Sequence, residues 1–157
     1  MKTLITSSDV LRMAFSANEL LAPTIITEAD IVEAEYRYVR PILGEALWQL
    51  LDSQYTALRD DYVAPTVAAW TRYMVPPLLG HRCEACLANS QSDIYASTTA
   101  GNNRLDSIMQ TLRSKARTLS RRLSDHLNAH SDEYPEYNPN ANPLNRCSID
   151  GDIIQIR

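Results

Sequence analysis

The feature that most constrains this chain is one long amphipathic run, "RLDSIMQTLRSKARTLSRRLSDHLNAH", residues 104–130. Its apolar residues fall at Leu105, Met109, Leu112, Ala116, Leu119 and Leu123, in alternating steps of four and three. That spacing draws a heptad-like seam of about five turns along one side of the helix. The other sides are polar and basic. Such a helix is stable only when its seam is covered, so other helices must pack on it.

The rest of the chain reads as helical too. "SSDVLRMAF" predicts a short first helix with Ser7 or Ser8 as N-cap. "TEADIVEAEYRYVR" predicts a second, capped by Thr27, with acidic residues where the helix dipole favours them. Pro41 should end or kink it, because proline lacks the N–H of a helix interior. "GEALWQLLDSQ" resumes after Gly44, and "RDDYVAP" reads as a loop. Pro65 suits the first turn of a further helix, "PTVAAWTRYMV". Pro76-Pro77 breaks that helix before "PLLGHRCEACLANSQ", and "STTAGNN" is a small-residue loop. The tail, 131–157, carries Pro135, Pro139 and Pro143 and reads as an extended arm. Asp150-Gly151 between two short apolar stretches predicts a tight hairpin. The expected fold is therefore all-α: a bundle of about four to six helices over 1–130, then an extended C-terminal arm over 131–157 that ends in a short β-hairpin.

Charge is unevenly spread. Residues 1–62 carry a balance of −5, and 104–130 carry +4, in a chain of net −4. One helix is thus basic in an otherwise acidic protein. Arg113, Arg117 and Arg121 step by four and form one stripe beside the seam, with Arg104, Lys115 and Arg122 on the other flank. Like charges at this spacing disfavour an isolated helix by about 0.2–0.5 kcal/mol per pair. The stripe is either a solvated face, paired with the acidic N-terminal half, or a contact for phosphate or an acidic partner. Arg113, Arg117, Arg121 and Arg122 are its candidate contacts. The carboxylates Glu28, Asp30, Glu33 and Glu35 read as a solvated helix face.

"HRCEAC" places Cys83 and Cys86 in CxxC spacing, and "HLNAH" places His126 and His130 four apart. Zinc-finger pairs lie about 12–15 residues apart; here the separation is about 40. Cys83 and Cys86 share a helix stripe with Val75 and Leu79, which suits a packed thiol better than a ligand. A bridging metal held by Cys83, Cys86, His126 and His130 is the alternative. No catalytic motif or Gly-rich phosphate loop is present in the sequence, so neither an enzyme nor a cofactor is expected. Three cysteines without a signal-peptide pattern read as free thiols in a reducing compartment. No run has the ~18 apolar residues of a membrane span.

The block "TEADIVEAEYRYVRPILGEALWQLLDSQY" resembles the N-terminal half of small α-helical phage head–tail connectors, the head-completion adaptors of phages and prophages, including those of Bacteroidetes. The order of parts over residues 1–130 is similar as well. The resemblance implies a non-catalytic virion protein at the neck. Its copies would form a ring between the portal and the tail or a second adaptor, with double-stranded DNA passing through. Two features are compatible with it. The Tyr- and Asn-rich tail reads as an intersubunit arm, with Tyr134 and Tyr137 as interface aromatics. Ile149, Ile153, Ile154 and Ile156 read as a strand offered to a neighbour. The rival reading is a helical DNA-binding or regulatory module using the basic helix 104–130.

Overall fold

A computed structural model describes residues 3–15, 25–75, 99–150 and 153–156. The fold is all-α. Helix α1 (Ser7–Ala14) is followed by α2 (Glu28–Ala34), which runs through a π-helical turn, Glu35–Val39, into α3 (Arg40–Leu43). Helix α4 (Glu45–Leu50) follows Gly44, and α5 (Thr56–Leu58) runs through a second π-helical turn, Arg59–Val63, into α6 (Ala64–Met74). Then come the long α7 (Thr99–Ala129), the short α8 (Pro143–Arg146) and two strands, β1 (Cys147–Asp150) and β2 (Ile153–Ile156). Counting runs joined by a π-turn as one body, the described residues make six helices.

Two threonines start the first helices in the same way. Thr6 and Thr27 each accept a bond from the backbone N–H three residues on, and the aspartate there, Asp9 or Asp30, bonds back to the cap. Each capping box satisfies donors that a helix start leaves orphaned. Thr6 therefore takes the capping role expected of Ser7 or Ser8. Ser7 instead donates to the Ile26 carbonyl at 2.9 Å, tying α1 to the entry of α2.

Pro65 sits in the first turn of α6, as expected, but the helix does not end at Pro41, and "RDDYVAP" is helical rather than a loop. Each proline follows a π-turn by two residues. In the first, the Arg40 N–H reaches Glu35 O; in the second, the Ala64 N–H reaches Arg59 O. A wider turn relieves the clash a proline ring makes with the carbonyl four residues back. The true break lies at Gly44, at φ 80° and ψ 157°. That region is essentially reserved for glycine.

Helix α6 is the centre of the core and packs against α1, α2 and α7. Val67, Ala68 and Thr71 are buried on it. Thr66 and Thr71 hydroxyls donate to the Tyr62 and Val67 carbonyls, so neither is left unpaired. Tyr38 stacks flat on Trp70, with ring centroids 3.8 Å apart. The carboxylate face on α2 is not uniformly solvated. Glu28 and Glu33 are exposed, whereas Asp30 belongs to the capping box and Glu35 is 1% exposed. Glu35 Oε1 accepts from the Leu4 N–H at 2.8 Å. Burial pushes its carboxyl above the usual range, opposed by that bond and by Arg40.

The first part of the tail is not an arm. Tyr134 and Tyr137 are 8% and 6% exposed and join the same hydrophobic cluster as α6 and α7. A boundary at 130 therefore cuts through a folded unit. The prolines do prevent a long helix, but successive turns fold the segment back onto α7. The strands β1 and β2 pair antiparallel, with Ile149 opposite Ile154 and Cys147 opposite Ile156.

Candidate interaction surface on the long helix

Helix α7 begins at Thr99, inside the stretch "STTAGNN" read as a loop. Its seam is covered mainly in its second half. Ala116, Leu123 and Leu127 are fully buried, while Met109, Leu112 and Leu119 are only partly covered. Each fully buried leucine contributes about 1.5–3 kcal/mol. Ser120 and Ser124 are also buried, and both are bonded. Trp70 Nε1 donates to Ser120 Oγ at 2.9 Å, and Asn142 Nδ2 donates to Ser124 Oγ at 2.8 Å.

Arg113, Arg117 and Arg121 are exposed, and none makes an ion pair among the described residues. The acidic N-terminal half does not neutralise them there. Arg122 is separated from this row. Its guanidinium lies 5.1 Å from the centre of the Tyr62 ring, against the aromatic cluster around His126. The four arginines are thus a row of three on one flank and a single residue on the other.

The aromatic cluster fixes the turn after α7. His126 stacks on Tyr62 at 4.1 Å and its Nε2 lies 3.2 Å from the Tyr134 hydroxyl. Tyr134 packs edge-on against Tyr55, whose hydroxyl donates to Glu136 at 2.8 Å. That bond raises the Tyr55 pKa. Burial, then His130 and Arg122, hold His126 below its ordinary value. His130 is exposed, and its Nδ1 lies 3.0 Å from the His126 carbonyl. Cys83 and Cys86 lie outside the described residues. Among the described residues no group of three or more His, Cys, Asp or Glu could hold a metal.

An asparagine lattice holds the rest of the tail. Asn128 and Asn145 exchange side-chain amide bonds at 2.9 and 3.0 Å. Tyr137 donates to Asn128 Oδ1, and the fully buried Asn142 donates to the Tyr137 hydroxyl. Asn145 also donates to the Pro139 carbonyl. These bonds were not legible in sequence, although the density of Asn and Tyr between 128 and 145 is their trace. Tyr134 and Tyr137, expected to face a partner, are spent inside the monomer. Ile149, Ile153, Ile154 and Ile156 lie on the strands beyond this anchor, where the backbone alone is described.

No curated protein and no solved structure matches the chain. A family model, described as a family of unknown function (DUF6712), matches residues 17–146. The match ends at the last residue of α8, so it includes the tail anchor and stops before the hairpin. Spanning most of the sequence, it shows that the chain belongs to the DUF6712 family.

Proposed function

We propose that this protein is a structural, non-catalytic head–tail connector of a phage or prophage virion. Copies form a ring at the neck, between the portal and the tail or a second adaptor, after assembling in the host cytoplasm. The observation that carries the reading is the row Arg113, Arg117 and Arg121, exposed and without ion pairs among the described residues of an acidic protein. Exposed like charges left unpaired are a contact for something acidic, either packaged double-stranded DNA or a neighbouring protein. The sequence resemblance of the α2–α4 block and the hairpin beyond the anchored tail support the same reading. No described helix is long and apolar enough to cross a membrane.

The test uses particles from a strain encoding the chain, with Arg113→Glu and Arg117→Glu introduced together. Antibody labelling should find the wild-type chain at the head–tail junction, and the variant particles should lose DNA. A chain missing from particles overturns the reading. The row also fits a helical DNA-binding module, which would bind free duplex in a salt-dependent way and be missing from particles.

A further inference from the structure

Arg40 sits beside two aromatic rings. Its guanidinium carbon lies 5.0 Å from the Tyr36 ring centre and 4.7 Å from that of Trp48. Trp48 is buried, whereas Tyr36 is 67% exposed. The three side chains run from the core to solvent as one layer, Trp48, then Arg40, then Tyr36. Arg40 makes no side-chain hydrogen bond among the described residues. Its Nε is buried with no acceptor, and its Nη1 lies 3.7 Å from Glu45 Oε2, beyond hydrogen-bond reach. Buried polar atoms are seldom left this way.

A guanidinium packed against rings keeps its in-plane donors open, and those donors match a carboxylate two at a time. Tyr, Trp and Arg are also the residues that dominate protein interfaces. Helix α8, which bears the exposed Leu144, packs beside α3, the helix that begins at Arg40. We propose that Arg40, framed by Tyr36 and Trp48, is a docking site for a carboxylate on a second copy of this chain.

Charge selects that partner. Glu35 and Glu45 lie beside Arg40, a field that repels a polyanion and tolerates one carboxylate. The chain holds 19 acidic against 15 basic residues. Asp61, Asp125, Asp132 and Glu133 are exposed without ion pairs among the described residues, so every copy carries both the site and its complement. A contact between unlike patches is heterologous and propagates into a ring or filament. The inference rests on the assembly reading for that ring and names the contact that closes it.

Sedimentation of the full chain over a concentration series is the test, with Arg40→Gln and Tyr36→Ser. Tyr36 is exposed, so its variant keeps the fold and isolates the contact. Each change should weaken self-association about tenfold or more. A benzophenone photo-crosslinker at position 36, in a mixture of ordinary and isotope-labelled protein, should yield crosslinks joining differently labelled copies. A wild type that stays monomeric overturns the proposal, as does association unchanged by Tyr36→Ser. Neither result bears on whether the chain is found at the virion neck, which particle labelling decides separately.

Discussion

Trp70 and Ser120 are joined by a 2.9 Å hydrogen bond between α6 and α7, fifty residues apart in sequence. The indole is stacked on Tyr38 and meets Tyr73 edge-on, so its N–H has a fixed direction. Replacing Ser120 with Ala leaves a buried donor unpaired. The expected loss is about 1–3 kcal/mol, read as a lower denaturant midpoint. A midpoint equal to wild type would mean that Trp70 finds another acceptor.

Two truncations separate the roles of the tail. Ending the chain after Arg146 removes only the hairpin, and circular dichroism should show the helices intact with a similar melting temperature. Ending it after Glu133 removes Tyr134 and Tyr137. Losing a buried aromatic side chain costs about 3–5 kcal/mol, against a typical domain stability of about 5–15 kcal/mol. The shorter chain should melt far lower or fail to fold. Equal melting of the two would contradict the packing of Tyr134 and Tyr137.

Acid should weaken the His126 cluster. Its folded pKa is depressed by burial first, then by His130 and Arg122, against the pull of Glu133. The unfolded chain then binds the proton more readily than the fold does. The stabilisation is full above the ordinary value of about 6.5 and is lost as pH falls through the lower folded value. Glu35 works in the opposite sense: its raised pKa means the fold gains as pH drops through that raised value. The test is the difference between wild type and His126→Gln, melted at about pH 7.5 and about pH 5. The variant should lose less on acidification, and parallel losses would rule out His126 as the sensitive group.

Gly44 should not tolerate alanine, although a Cβ there would meet nothing within 4 Å. The cost comes from the backbone, at φ 80° and ψ 157°. About 1–3 kcal/mol is expected. A fully stable Gly44→Ala protein would show that the α3–α4 corner can re-form with ordinary dihedrals.

Local signals in the sequence were readable where one residue decides one piece of backbone. Thr27 caps α2, Gly44 ends α3, and the seam through Ala116 and Leu123 faces the core. Long-range polar bonds were not readable. Nothing near Asn142 announces that Ser124 and Tyr137 will accept its two bonds. The Glu35 carboxylate looked solvated because its neighbours Glu28 and Glu33 are, yet it lies four residues after the buried Ile31, on the same face, where it accepts from the Leu4 N–H. The reading of Pro41 as a helix end assumed an α-helical turn before the proline, and here that turn is wider.

Those wide turns act as phase shifters. One additional residue per turn advances the helix by about 100°, so the side chains beyond Val39 and Val63 emerge on a different azimuth from the one an uninterrupted α-helix would give them. Arg40, Ile42 and Leu43 owe their directions to the first, and the core-facing set Val67, Ala68 and Thr71 owe theirs to the second. Each following proline then works as a ratchet. It disfavours collapse of the wide turn to an ordinary one, because collapse would bring back the clash of its ring with the carbonyl four residues behind. A single-residue deletion within either turn would thus leave the downstream azimuths nearly as they are, and would leave the proline with nowhere to sit.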